Sequence, residues 1–501
     1  MDLKRINKTD EVVNFPDDYN DNLTEIEQEL DNKVSNNRVK TDVPSGAVFT
    51  DTVYDDTEIK ERVETLEQRE KMTRYGVRRK LGATTAELER LGDSVGLVAN
   101  ADDSLVSYNV VRNDFDNIFP WSHMRKCVIE ESGKIIYQGY PNYETSNGDY
   151  MIEIPSFYLK HTVDDDDLEY WVSAYSGQGF VKTEKFYIAQ FKTSEGDKSR
   201  PNTTPLVFQA LDTFRNGARS KGDGWQVIDM YGHYILRVLY QVEFAHLNSQ
   251  TILGTGVTSG RYSDDSILVA ESNTNTVTVS SAVGSYFEIG ETVSISTTRG
   301  SSSAIAHDRL ITDKQTVGEN TEITLDVSAF NVGTNHIIYH VGQHTGKTLD
   351  LTSSSGQSVG RSGRQSITYR GVEDIFGNVY EWIDGTLIND RQAYTCNDPS
   401  KYSNSLTSDY KEIGYTNHET DGYVSQMGFD ENYPHVEFPV KTGAGSSTGY
   451  CDNYYQNTGL RAPRVGGFWT SGATSGFFLW SLTHAPSNVN VNNGARLNLK
   501  K

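Results

Sequence analysis

Cysteine is scarce in this 501-residue chain: Cys127, Cys396 and Cys451 are the whole set. Three is an odd number with no CxxC pair, so neither a disulfide framework nor a paired-thiol zinc site is encoded. Proline is also sparse, at 12 against 43 glycines, which favours tight turns and hence a β-rich chain. Basic charge is in deficit. With 46 Lys and Arg against 68 Asp and Glu, the net charge of −22 excludes the basic footprint that nucleic acid requires, and it disfavours anionic membranes. No apolar run reaches the length of a membrane span, and MDLKRINKTDEVVNF lacks the apolar core of a secretory signal. The expectation is synthesis in a cytosol without membrane insertion. Walker A, GxSxG and GxGxxG motifs are missing from places where they would carry chemistry.

Aromatics are what the chain has, at 11% with 29 Tyr, alongside enough length for two to four domains. Residues 1–110 are polar and acidic. Leu23, Ile26, Leu30 and Val34, then Ile59, Val63 and Leu66, recur at helical spacing as two short seams. Such seams suit either a self-associating stalk or helices packed on their own chain. From 111 the chain turns β-rich, and GWQVIDMYGHYILRVLYQVEFAH predicts one helix with an apolar stripe of Val227, Tyr231, Tyr234, Ile235, Val238, Leu239 and Val242. Residues 256–345 alternate Val, Ser and Thr with period two, which predicts a small β-sandwich or barrel inserted into a larger domain. The predicted division is 1–110, 111–255, 256–345 and 346–501.

Several motifs carry a resemblance. Gly377-Asn378-Val379-Tyr380-Glu381-Trp382 is similar to the GNVWEW signature of formylglycine-generating-enzyme-like domains, which have a C-type lectin fold. ARSKGDGWQVIDMYGHYILRVLYQVEF resembles that family's central helix, and MIEIPSFYLK its early strand. RVGGFWTSG…NGARL matches its closing pattern through Arg464, Gly466, Gly467, Trp469 and Arg496. The resemblance covers roughly 140–255 and 346–501. It implies an α+β, C-type lectin fold head carrying the inserted all-β domain, with 1–110 as a partly helical, coiled-coil stalk. The family's enzymes use a cysteine pair near the C-terminus, but Cys451 stands alone there, so the resemblance implies no oxidase and no enzyme. It further implies a structural Ca²⁺ site at Asp374, Gly377, Val379 and Glu381; the alternative is that Glu381 merely bonds neighbouring amides.

Two other clusters carry metal-ligating residue types. His336, His340 and His344, spaced by four, would either bind a transition metal or line a solvated strand face. VDDDDLEY lacks the glycine and distal Glu of an EF-hand and reads as a solvated acidic loop.

TDVPSGAVFTDTVY, residues 41–54, resembles a connector in tail fibres and baseplate proteins of phages of Gram-positive bacteria. The ending, with Asn488, Asn490 and Asn492 interleaved with Val489 and Val491, resembles the variable C-terminus of proteins diversified by retroelements, among them phage tail-tip proteins. Adenine mutation of Asn codons yields Ser, Thr, His, Phe, Leu and Val. That logic marks Phe468, Thr470, Ser481, Thr483, His484, Val489 and Val491 as variable contacts, with Phe477 and a fixed Trp480 beside them. Part of the ending is then core, and the rest a contact surface. The functional expectation is a phage tail-fibre receptor-binding protein in the virion. Its homotrimeric head would bind a bacterial surface glycan or protein, with avidity from three copies, while 1–110 joins other tail or baseplate proteins. A structural baseplate or neck-fibre protein is the alternative.

Overall fold

The computed structural model describes residues 73–103, 112–164, 167–300, 304–351, 353–357, 362–417 and 420–501. The helical seams of 23–34 and 59–66 and the connector 41–54 lie outside the described residues. The chain divides into two compact units, Met1–Thr73 with Ala174–Ser176 and Arg74–Ser173 with Gly177–Lys501. Every described helix and strand belongs to the larger unit.

That unit is a mixed α+β fold of several largely antiparallel sheets with few, short helices. One antiparallel sheet runs Trp225–Val227, Leu497–Lys500, Phe186–Ala189, Asp149–Ile154, Arg125–Ile129, Ile135–Tyr137, so the C-terminal strand sits inside it, between two earlier ones. Asp149–Ile154 and Phe186–Ala189 are buried at every residue. Strands covered on both faces show no alternation: FYIA is a continuous apolar run, and in MIEI the one charged residue, Glu153, is buried against Arg125 at 2.7 Å.

Two helices follow in the chain, α1 (Leu211–Ser220) and α2 (Met230–Phe244). Asp229 caps α2 by accepting from the Gly232 N–H at 2.9 Å, and Ala245 ends it in the left-handed region at φ 50°. The expected single apolar stripe is corrected here. Every residue of α2 except Tyr231 is buried, including His233, Arg237, Gln241 and Glu243, and Val227 lies in the preceding strand. The reason is that α2 is enclosed: Tyr234 meets Tyr170 on one side, and Tyr240 meets Phe477 on another. The buried charges are paired, as that environment demands, Glu243 with Arg370 and Arg237 with Glu437.

Residues 265–340 build a six-stranded antiparallel sheet ordered Asp265–Ser266, Ile337–His340, Thr292–Ser296, Ala306–Val317, Asn320–Leu325, Thr276–Ser280. Its own core holds Val277, Val279, Phe287, Val293, Ile295, Ile323 and Ile338. The flanks of this module belong elsewhere. Val257 and Val341 pack with Tyr339, Val379, Trp469 and Val491 in a separate cluster that seats the module on the chain's C-terminal end.

The boundary expected at residue 110 also moves. Tyr75–Lys80 pairs along its length with Asp167–Ser173, and Asp102–Asp103 runs parallel to Gly356–Gln357, so these residues belong to the larger unit rather than to a stalk. Their alternation was too short to register against the polar background of 1–110.

Candidate recognition surface at the C-terminal end

A seven-stranded sheet frames the C-terminal end, ordered Phe438–Thr442, Gly422–Gly428, Asn453–Tyr455, Gly476–Ser481, Arg464–Gly466, Tyr380–Trp382, Asn493–Gly494. All six residues of Gly476–Ser481 are buried. Three expected contact residues in this strand, Phe477, Trp480 and Ser481, and a fourth outside it, Val491, are corrected to interior positions. Phe477 packs edge-on against His233 and Tyr240, and Trp480 has no exposed surface. Ser481 accepts from the Arg464 guanidinium at 3.0 Å, and Val491 is wholly buried in the cluster that seats the inserted module. An interior strand covered on both faces fills with aromatics regardless of register, and that is what GFFLWS encodes.

The other expected contacts lie nearer the surface. Val489 is 55% exposed, and Phe468, Thr470, Thr483 and His484 are half-buried. Phe468 stacks on Tyr380 at 5.2 Å, with its other neighbours Trp469 at 5.4 Å and Tyr262 at 6.0 Å. Tyr262, which the sequence reading missed, is 44% exposed. It stacks along Trp469, its hydroxyl donates to the Asn490 side-chain oxygen at 3.4 Å, and the Arg299 guanidinium lies 4.5 Å from its ring centre. Arg261 stacks likewise 3.9 Å from the ring of Tyr286, itself 41% exposed. Aromatic rings held by neighbours lose little entropy on contact, and both arginines are fixed over their rings by carboxylates, Arg261 by Asp265 at 2.7 Å and Arg299 by Asp264 at 2.6 Å. The surface is thus built jointly by the entry to the inserted module and the C-terminal loops. The signal available was GRYSDD at 260–265, a turn composition with one aromatic.

Beside this surface a cleft of about 950 Å³ runs between the module and the loop of residues 202–209, lined by Phe208, Gly300, His307, Arg309, Tyr339 and His344. The histidines expected to share a face do not meet at one point. His340 is buried against Phe287 with its Nε2 3.5 Å from Glu291, whereas His336 bonds Gly333 and His344 lines the cleft. The described residues of the acidic stretch lie in two paired strands, Tyr158–Asp164 and Asp167–Ser173, rather than in a loop.

The signature turn does not fit calcium. Gly377 sits at φ 74°, and a Cβ there would lie 2.8 Å from the Val257 carbonyl oxygen, so the turn requires glycine. Asn378 ties the turn to the loop before it, bonding Gln343 and Asp374. Val379 is buried in the seating cluster. The Glu381 carboxylate, however, receives Lys192 Nζ and Arg496 Nε, both at 2.8 Å. Arg496 also donates to the carbonyls of Glu373 and Asp374, at 2.7 and 3.1 Å. Two cations already neutralise the Glu381 carboxylate and one also holds the Asp374 carbonyl, so Glu381 belongs to an ion-pair cluster, while Asp374 Oδ1 is buried without a partner. The two cations hold Glu381 below the usual carboxylate range against the opposing effect of burial, which is the largest single influence on it. Among the described residues no group of His, Cys, Asp and Glu is placed to hold a metal, and no helix is long and apolar enough to cross a membrane. Cys127, Cys396 and Cys451 are free and buried.

No family model and no curated protein matches this chain. Among solved structures, the Major Tropism Determinant U1 variant matches over 75% of this chain and 71% of that chain, at 12% identity and a TM-score of 0.23. A likeness at that score carries no argument.

Proposed function

We propose that this chain is the receptor-binding protein of a phage tail fibre, and that its lectin-like head meets a bacterial surface molecule through the C-terminal end. The observation that carries this reading is the joint surface of Tyr262, Phe468 and Val489: exposed or half-exposed apolar side chains on the loops at the edge of the sheets, with an arginine stacked on Tyr262. Such an arrangement suits recognition better than catalysis, because anchors are present and no nucleophile–base pair converges with them. The resemblance of 41–54 to a tail-fibre connector supports placement in the virion, and the signature at 377–382 supports the lectin-like class. Homotrimerisation and attachment through the N-terminal residues belong to the same proposal. Purified protein should bind host cells saturably and compete with phage for adsorption. Saturable binding without competition would assign the chain to another role in the particle, as a structural baseplate or neck-fibre protein.

A further inference from the structure

Buried guanidinium groups in this fold face carboxylates. Arg215, Arg237, Arg370 and Arg496 each have one within 2.5–3.2 Å. Arg464 does not. It is 2% exposed, yet all its partners are neutral: Nη2 donates to Ser481 Oγ at 3.0 Å and Thr483 Oγ1 at 2.7 Å, Nη1 donates to the Asn493 side-chain oxygen, and buried Nε has no partner. The guanidinium lies 4.3 Å from the centre of the Tyr380 ring. Arg79 is another buried guanidinium without a carboxylate, with Nε and Nη1 unpartnered, but it is covered by the Tyr450 ring and, among the described residues, no second basic or hydroxyl side chain is bonded to it.

The Arg461 side chain and the His484 imidazole, neutral near pH 7, lie beside Arg464. The His484 carbonyl accepts from Ala462 N–H at 3.3 Å, which lays the loop alongside the strand Leu460–Arg461. His484 Nδ1 and Arg461 Nε are both buried and without partners. Among the described residues neither side chain has an ion pair. Burial, and then the charges of Arg464 and Arg461, hold the His484 pKa down to about 4. In a chain of net charge −22, an uncompensated group of this kind stands out. A buried charge with neutral partners is undersatisfied, and an oxyanion is the partner that planar guanidinium donors match best.

We infer that Arg461, Arg464 and His484, with the hydroxyls of Ser481 and Thr483, form an oxyanion-recognition site for a phosphate or carboxylate carried by a surface saccharide. Thr483, His484 and Arg461 are half-buried and give the approach, while Arg464 supplies fixed charge from beneath. Only the identity of the carrier rests on the proposed receptor-binding role; anion binding itself does not.

The test is equilibrium dialysis of the full-length protein against radiolabelled inorganic phosphate, with glycerol phosphate and glucuronate as unlabelled competitors. The expected result is one saturable site per chain, weakened ~10-fold or more in Arg461→Gln/His484→Gln, whose melting temperature stays that of the wild type. Competition by glycerol phosphate would assign a phosphate-bearing carrier, and competition by glucuronate a carboxylate-bearing one. Absence of saturable phosphate binding, or undiminished binding by the folded double variant, overturns the inference. Arg464→Lys provides an independent arm: it keeps the charge but loses the planar donors, and should bind more weakly than wild type. Adsorption to host cells separates the two readings. Phosphate binding without any effect of the double variant on adsorption would keep the site and remove its role in host recognition. Adsorption that depends on Tyr262 with no phosphate binding would do the reverse.

Discussion

Glu381→Gln should destabilise the larger unit without touching its surface. The carboxylate is 3% exposed and neutralises Lys192 and Arg496, each 1% exposed. Removing one partner from a buried ion pair leaves charge without compensation and costs about 3–5 kcal/mol. The upper half of that range applies, since two cations lose one anion, while the retained amide oxygen still accepts one hydrogen bond. The unit contains roughly 425 residues, for which an unfolding entropy of about 2 cal/mol/K per residue gives roughly 0.9 kcal/mol/K. A fall of about 4–6 °C in calorimetric melting temperature follows. The same cluster predicts that EDTA leaves the wild-type melting temperature unchanged. A drop under about 1 °C would refute the burial reasoning. A rise with millimolar Ca²⁺ that vanishes in Glu381→Gln would restore the calcium reading.

Three other outcomes are expected. Trp480→Ala should cost about 3–5 kcal/mol in denaturant unfolding, whereas Val489→Ala should stay within about 0.5 kcal/mol, because one side chain is interior and the other exposed. Burial, reinforced by Arg364, depresses the His340 pKa to about 4, so the folded state binds fewer protons than the unfolded one between pH 6.5 and 4. The stability owed to neutral His340 is therefore complete above about pH 6.5 and is lost as pH falls towards 4, and His340→Gln should flatten that slope. Gly377→Ala should destabilise by more than about 1 kcal/mol, since the new methyl meets the Val257 carbonyl at a positive φ.

The elements that the sequence announced are those whose pattern is local. The central helix was readable from its length and composition, and the strands Thr276–Ser280 and Thr292–Ser296 from their period of two. What stayed hidden depends on partners far along the chain. Lys192 and Arg496 reach Glu381 across 189 and 115 residues, and no spacing rule could pair them. GFFLWS looked like a surface because its neighbours are Gly, Ser and Thr, yet those small residues are what let a two-sided interior strand turn tightly at its ends. Tyr262 was overlooked for the opposite reason: it is a single aromatic in a turn, and only packing against Phe468 and Trp469 gives it a role.

Adsorption to host cells by Tyr262→Ala/Val489→Glu, compared with wild type at matched melting temperature, tests the central claim most directly. Both side chains are exposed, so the fold should hold. Recognition through this surface predicts adsorption reduced ~10-fold or more, as expected for losing an aromatic anchor and placing a charge in its patch. Undiminished adsorption by the folded double variant would contradict it and move recognition away from the C-terminal end.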